Sequence, residues 1–301
     1  MLDSIKGLHL ELTNICTLKC PRCSRTNFLE TFKNKNWTNK QINLQDLQSF
    51  IDIDLHGKLF NLCGNDGDPI YYDQLFELVR WVKSNNGLIQ ISTNGSYKKQ
   101  DWWSELAELL TSDDKIIFGI DGMPDNFTQY RINADWESML NGIEAMVASK
   151  AKVEWQFIPF SYNLDSIEPA RQLSHDLGFD IFNVLHSDRW ESDDDPFKPA
   201  IDNQGPRYKK IVNWKQDKNV EIDPQCKSSH ADHFITADGY YTPCCYSANY
   251  KFFYSSDFYK NRKDYKISTT TLTTVLSKLA DFYNTIEVVK PKFCSFNCPK
   301  I

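Results

Sequence analysis

The sequence predicts an α/β fold: a partial (β/α)6 TIM-like barrel followed by a small C-terminal extension of one β-hairpin and a helix. Three observations carry this prediction. Short β-rich runs alternate with amphipathic helical stretches from the start of the chain to about residue 187. Gly, Asn, Asp and Ser collect at four successive strand ends, which is where such barrels gather their sites. Eight of the nine cysteines fall into two groups, one directly after the first strand and one in the last quarter of the chain.

The predicted strands are Gly7 to Thr13, Lys58 to Cys63, Leu88 to Thr93, Lys115 to Asp121, Val153 to Phe160 and Asp180 to His186. They are short and run-like, as parallel strands covered on both faces are, so helices must lie between them. Asn43 is placed to cap a helix running through Asp54. Asp73 to Asn85 puts Leu75, Leu78, Val79 and Val82 on one face, with Gly87 just past its end. Asp101 opens a helix carrying Leu106, Leu109 and Leu110. Trp136, Met139, Leu140, Ile143 and Val147 form the next stripe, and Ser166 to Leu177 is closed by Gly178. From Asp188 the pattern changes. Residues 188–225 hold Glu191, the acidic triplet Asp193 to Asp195, and several Pro and Gly, and read as a linker or a lid. A solvated face is the plain reading of such a charge run; Trp190, Phe197 and Trp214 keep the lid reading open. Residues 226–301 contain a hairpin turning at Ala237-Asp238-Gly239, a helix from Thr271 to Ile286, and five cysteines. The expected organisation is therefore a barrel over 1–187, a linker or lid over 188–225, and a thiol-bearing extension over 226–301.

With 41% hydrophobic residues in 301, the chain can bury a large core. No apolar run suits a signal peptide or approaches the roughly 20 residues of a membrane span, so a cytoplasmic protein is expected. In that compartment thiols stay reduced, and grouped cysteines point to metal rather than to disulfides. A formal charge of -6 argues against nucleic acid as a partner.

The stretch Cys16 to Cys23, CTLKCPRC, sets three thiols on one loop with gaps of three and two residues. Thiolate is a soft ligand that selects zinc, copper(I) or iron-sulfur clusters. A structural zinc wants a fourth ligand, and no His lies between Leu10 and Leu55, though a zinc knuckle completed from a distant residue stays open. Three cysteines can instead hold three corners of a 4Fe-4S cubane and leave its fourth iron exchangeable. The second strand runs into CGNDGDPI, where Gly64 and Gly67 permit close backbone approach. The third ends in STNGS and the fourth in IDGMP. Cys63 at a strand end is read first as a small buried hydrophobe, and His186 as a hydrogen-bonded core residue. Glu154 and Gln156 alternate on the fifth strand, where one face of a barrel strand meets the lumen.

On these residues the chain resembles the radical SAM superfamily, over roughly residues 7 to 187. The resemblance implies that Cys16, Cys20 and Cys23 hold a 4Fe-4S cluster whose open iron binds S-adenosylmethionine (SAM). Gly67-Asp68-Pro69 is similar to the family's Gly-Glu-Pro segment, which holds the SAM amino group. Thr93-Asn94-Gly95 is similar to the family's TNG segment, which stands beside SAM, and Ser92 or Asn94 is read as supplying a polar group near the ribose. Asp121 stands in the segment similar to SIDG, and Arg131, ten residues on, is implied to reach the SAM carboxylate. Three positions depart from the family pattern: Arg22 stands where an aromatic residue usually precedes the third Cys, Asp68 where a Glu is usual, and Gly119 where a Ser is usual. The C-terminal cysteines resemble the SPASM or shorter Twitch extension, which implies one auxiliary 4Fe-4S cluster on Cys226, Cys244, Cys294 and Cys298, with Cys245 spare. A zinc ribbon on the same four thiols is the alternative. The resemblance further implies a flavodoxin- or ferredoxin-like electron donor and hydrogen abstraction from a peptide or protein side chain. No peptide-recognition segment is read before the first strand. A small molecule or nucleotide is the alternative substrate, and a non-catalytic iron-sulfur or zinc protein is the alternative class.

Overall fold

A computed structural model of the chain describes residues 5–32, 38–185, 187, 192, 194–198, 221–224, 226 and 233–298. Among these, eight strands form one sheet in the order β6-β5-β4-β3-β2-β1-β7-β8. The first six are β1 (Gly7–Leu10), β2 (Leu59–Leu62), β3 (Leu88–Thr93), β4 (Lys115–Gly119), β5 (Lys152–Phe157) and β6 (Ile181–Val184). All six run parallel, with Gly7 opposite Leu59, Leu59 opposite Leu88, Gln90 opposite Lys115, Lys115 opposite Lys152 and Glu154 opposite Ile181. Helices join them: α1 (Ser24–Phe32), α2 (Leu44–Phe50), α3 (Leu75–Ser84), α4 (Gln100–Leu109), α5 (Trp136–Val147) and α6 (Ile167–Asp176). This is the mostly parallel α/β fold of a partial TIM-like barrel, as the alternation of strands and helices requires.

One face of each strand packs under the helices and supplies the core, with Phe60, Leu62, Ile89, Ile91, Phe118 and Trp155 buried there. Side chains alternate across a strand, so the residues between them belong to the other, concave face. That face is mostly polar: Asn61, Gln90, Ser92, Lys115, Glu154 and Asn183 stand on it, with Ile117 and Ile181 among them. Glu154 is buried, accepts from Lys115 Nζ at 2.9 Å and from Asn183 Nδ2 at 2.9 Å, and so is already held within the face.

Several boundaries differ from the sequence reading. The first strand ends at Leu10 rather than Thr13, although Glu11 N still bonds Ile235 O at 2.9 Å. Asn43 caps α2 through Asp46 N, but the helix stops at Phe50. Past α3 the left-handed residue is Asn86, at φ 57°, and not Gly87; Gly178 does close α6 at φ 87°. The helix predicted over Thr271 to Ile286 is two helices meeting at Leu279. They follow three single turns: α7 (Cys245–Ala248), α8 (Tyr250–Phe253) and α9 (Asp257–Lys260). The pair itself is α10 (Leu272–Lys278) and α11 (Ala280–Val289), and α12 (Lys292–Asn297) ends the described chain. The predicted hairpin forms β7 (His233–Ile235) and β8 (Tyr241–Thr242), with Gly239 at φ 77° in its turn. Its position was not foreseen: β7 pairs parallel with β1, Leu8 opposite His233, so the hairpin continues the barrel sheet. His186, Glu191, Asp193, Trp190 and Trp214 lie outside the described residues.

Candidate functional site

The site is built at the carboxyl ends of β1 to β4. After β1 the chain crosses to the Cys16 to Cys23 loop, and α1 begins directly after Cys23. The three thiols reach the neighbouring strand ends. Asn94 Nδ2, after β3, donates to Cys16 Sγ at 3.6 Å, and Cys23 Sγ donates to Asn65 O, after β2, at 4.0 Å. Cys20 lies buried with Leu18, Tyr130 and Phe160. Burial pushes Cys16 up to about 12, helped by the nearby Asp68, and Cys20 up to about 11 against the pull of Arg131. Any metal must therefore displace protons from these thiols on binding.

Gly67 shows why the loop after β2 needs glycine. A Cβ there would sit 1.8 Å from Thr13 O, a backbone atom that cannot swing aside. Asp68 N then bonds Ile15 O at 2.9 Å, tying this loop to the start of the cysteine loop. The Asp68 carboxylate turns the other way and is buried. It accepts from Ile70 N at 3.2 Å, Thr93 Oγ1 at 2.9 Å and Asn94 N at 2.7 Å. Burial still raises its pKa over these opposing bonds. Asp68 and Thr93 thus latch two loops together, Asn94 links them to Cys16, and Ser92, half-buried, stands on the concave face of β3.

Asp121 and Arg131 form an ion pair of 2.6 Å, with the carboxylate fully buried. Burial opposes the guanidinium charge, but Asp121, joined by Cys20 and Tyr130, outweighs it and holds Arg131 protonated. A Cβ at Gly119 would stand 2.7 Å from Arg131 Nη2, so the glycine leaves the guanidinium its room. A further departure, Arg22, has a partner that the sequence did not suggest. Its Nε donates to Asp195 Oδ2 at 2.7 Å, and its guanidinium lies 5.7 Å from the centre of the Phe197 ring. For Asp195 the solvated-face reading is overturned: it is buried against Arg22, while Asp194 is exposed.

A second thiol group lies in the extension. Cys294 is raised first by burial and then by the thiols of Cys244, Cys226 and Cys298, which places those three within electrostatic reach of Cys294. Cys244, at the end of β8, is pushed up to about 11 by burial, against hydrogen bonds from Ser247. Asn65 spans the two groups, since its Nδ2 donates to Cys245 O at 3.1 Å while its carbonyl meets Cys23. Cys63, at the end of β2, is half-buried, and its carbonyl bonds the His9 ring. All nine cysteines are described and none is paired in a disulfide. Among the described residues no three His, Cys, Asp or Glu converge as ligands of a single ion do. A cubane takes one thiolate per iron corner and asks for a wider set. Three thiols on one loop, Cys16 beside Asn94 and Cys20 beside Arg131, fit that group by the chemistry of the donor set. Among the described residues no helix is long and apolar enough to cross a membrane.

Comparison with known proteins gives the fold class first. The chain shares the fold of anSMEcpe, solved with bound AdoMet, at a TM-score of 0.61 and 14% identity, covering 97% of this chain and 89% of that one. It shares it also with Streptococcus suis SuiB bound to its precursor peptide SuiA, at a TM-score of 0.58 and 12% identity, over 88% of this chain and 66% of SuiB. By sequence, it is 28% identical over 120 residues to the tungsten-containing aldehyde ferredoxin oxidoreductase cofactor-modifying protein of Pyrococcus furiosus. That match covers 40% of this chain and 32% of the relative, so the chain spans about a third of the curated protein it matches. No family model matches the chain.

Proposed function

We propose that this chain is a radical SAM enzyme whose Cys16, Cys20 and Cys23 hold a 4Fe-4S cluster with one iron open to SAM. The observation that carries the proposal is the placement of three thiols on one loop at the carboxyl ends of parallel strands, with the Gly67 loop, Asn94 and Arg131 gathered round them. When bound and reduced, that cofactor pair supplies a 5'-deoxyadenosyl radical able to take a hydrogen atom from substrate. The protein's part is to bind and orient. Asp68 O and Pro69 O accept from Tyr71 N and Tyr72 N, so the Gly67 carbonyl is the one assigned to the SAM amino group, and the Asp68 side chain fixes that loop against Thr93 and Asn94. Ser92 borders the concave face next to them. Arg131, kept charged by Asp121, is the fixed cation for a carboxylate. Tyr130, Phe160 and Phe197 keep water from this end of the barrel.

Cys226, Cys244, Cys294 and Cys298 are assigned to one auxiliary 4Fe-4S cluster. A flavodoxin- or ferredoxin-like protein is the assigned electron donor. The proposed substrate is a peptide or protein side chain; the mostly polar concave face and the peptide held by SuiB, a protein of the same fold, support this choice.

Anaerobic reconstitution with iron and sulfide, followed by dithionite and SAM, tests the core of the reading. Wild type should release 5'-deoxyadenosine, and the triple variant Cys16→Ala, Cys20→Ala, Cys23→Ala should release none. If wild type makes none with a full cluster bound, the enzymatic reading fails. Iron counts near eight per chain would support two clusters, and zinc in the extension would replace the auxiliary one.

A further inference from the structure

We infer that Arg22, Asp195 and Phe197 form a clasp that positions the third thiol of the cysteine loop and closes the loop's outer side. The inference deepens the radical SAM reading and rests on it for its meaning, though not for its geometry. Arg22 is bonded into the chain next to Cys23, so fixing its guanidinium fixes the backbone that carries that thiol. Three contacts fix it. Nε donates to Asp195 Oδ2 at 2.7 Å, the guanidinium lies 5.7 Å from the Phe197 ring centre, and Nη1 reaches Pro21 O at 3.4 Å.

The pair is sheltered as surface pairs are not: the Asp195 side chain is 1% exposed and that of Arg22 20%. A charge-assisted bond in such a place is directional and poorly screened by salt. Asp195 is itself held in a turn, for its other oxygen accepts from Phe197 N at 2.9 Å and Lys198 N bonds its carbonyl at 2.9 Å. The turn is seated on the barrel. Phe197 stands edge-on to Tyr130 at 5.3 Å and to Phe160 at 5.8 Å, packed, as Cys16 and Cys23 are, against the small apolar cluster that those two rings form with Leu18 and Cys20. Ser161 Oγ adds a bond to Pro196 O at 3.3 Å. Residues 195–198 therefore cap the cysteine loop from a point 173 positions away in the chain. Arg22 and Asp195 act through Cys23 and are positioning residues; Phe197 is the cover.

Thiol alkylation of the cluster-free full chain, read cysteine by cysteine by mass spectrometry, tests the clasp without SAM, iron or turnover. Phe197→Ala, which changes no charge, should raise alkylation of Cys20 and Cys23 by about tenfold through local opening, with Cys244 and Cys294 unchanged. Asp195→Asn should do the same, and Asp195→Glu should restore part of the protection. If Phe197→Ala unfolds, all thiols react alike, and Arg22→Lys decides, since it keeps the charge but lacks the fork. In reconstituted protein the reduced cluster's electron paramagnetic resonance spectrum should shift in Asp195→Asn and return towards wild type in Asp195→Glu. Unchanged alkylation at Cys20 and Cys23 in folded Phe197→Ala and Asp195→Asn overturns the clasp, whether or not the wild type cleaves SAM. Absence of SAM cleavage with these protections intact would overturn the enzymatic reading alone.

Discussion

Arg131 carries its charge where a charge is costly, and Asp121 is what makes that tolerable. The carboxylate is wholly buried, bonded to Arg131 Nε at 2.6 Å and to Ile158 N at 2.8 Å. Replacing Arg131 by Met removes one partner and leaves the other charge stranded, which is the expensive way to break a buried pair. Arg131→Met should cost about 3–5 kcal/mol, read as a lower urea midpoint with an unchanged slope. Asp68 is a second case with a different cost. Its carboxylate satisfies Ile70 N, Thr93 Oγ1 and Asn94 N, all buried, so Asp68→Ala orphans three donors at about 1–3 kcal/mol each. Thr93→Val removes one of them in advance, and the double variant should therefore lose less than the sum of the two singles.

At the level of elements, the joints between strand ends and loops matter more than strand length. Gly67 meets backbone at 1.8 Å from its missing Cβ, while Gly119 meets only the tip of a long side chain. Gly67→Ala cannot be relieved by a rotamer change and should detach the loop after β2 from Thr13 to Ile15. Gly119→Ala moves one guanidinium. Hydrogen exchange at Asp68 N should rise sharply in the first variant and hardly change in the second. The same contrast explains what could be read in the sequence. The apolar face of α3 was legible because Leu75, Leu78, Val79 and Val82 repeat at helical spacing. The break at Leu279 was not, since Leu276, Leu279 and Ile286 keep an apolar period straight through it. Nor was the parallel pairing of β7 with β1, because a β-rich run carries no mark of its neighbour.

Across the whole molecule, the parts of the candidate site written in one stretch were legible: the three-thiol loop, Gly67 to Pro69, Thr93 to Gly95, and Arg131. The long-range contacts were not. Arg22 finds Asp195 173 residues away, and Asn65 finds Cys245 180 residues away, where no periodicity could point to either. The buried thiols nonetheless make a prediction that spans both ends of the chain. Cys16 is held at about 12, and Cys20 and Cys244 at about 11, against an ordinary value of 9.0. Between these values the unfolded chain has lost thiol protons that the folded chain keeps, so it binds fewer protons, and stability must fall as pH rises. Cluster-free protein should keep the full contribution of these thiols below about pH 9 and lose on the order of 1 kcal/mol per thiol per pH unit above it. Cys16→Ser and Cys244→Ser should each flatten that slope in urea midpoints measured from about pH 8 to 11. With metal bound, the thiols are already deprotonated and the alkaline loss should vanish. Protons then compete with metal at the acid end instead, so removing the cluster should move the pH of greatest stability downwards.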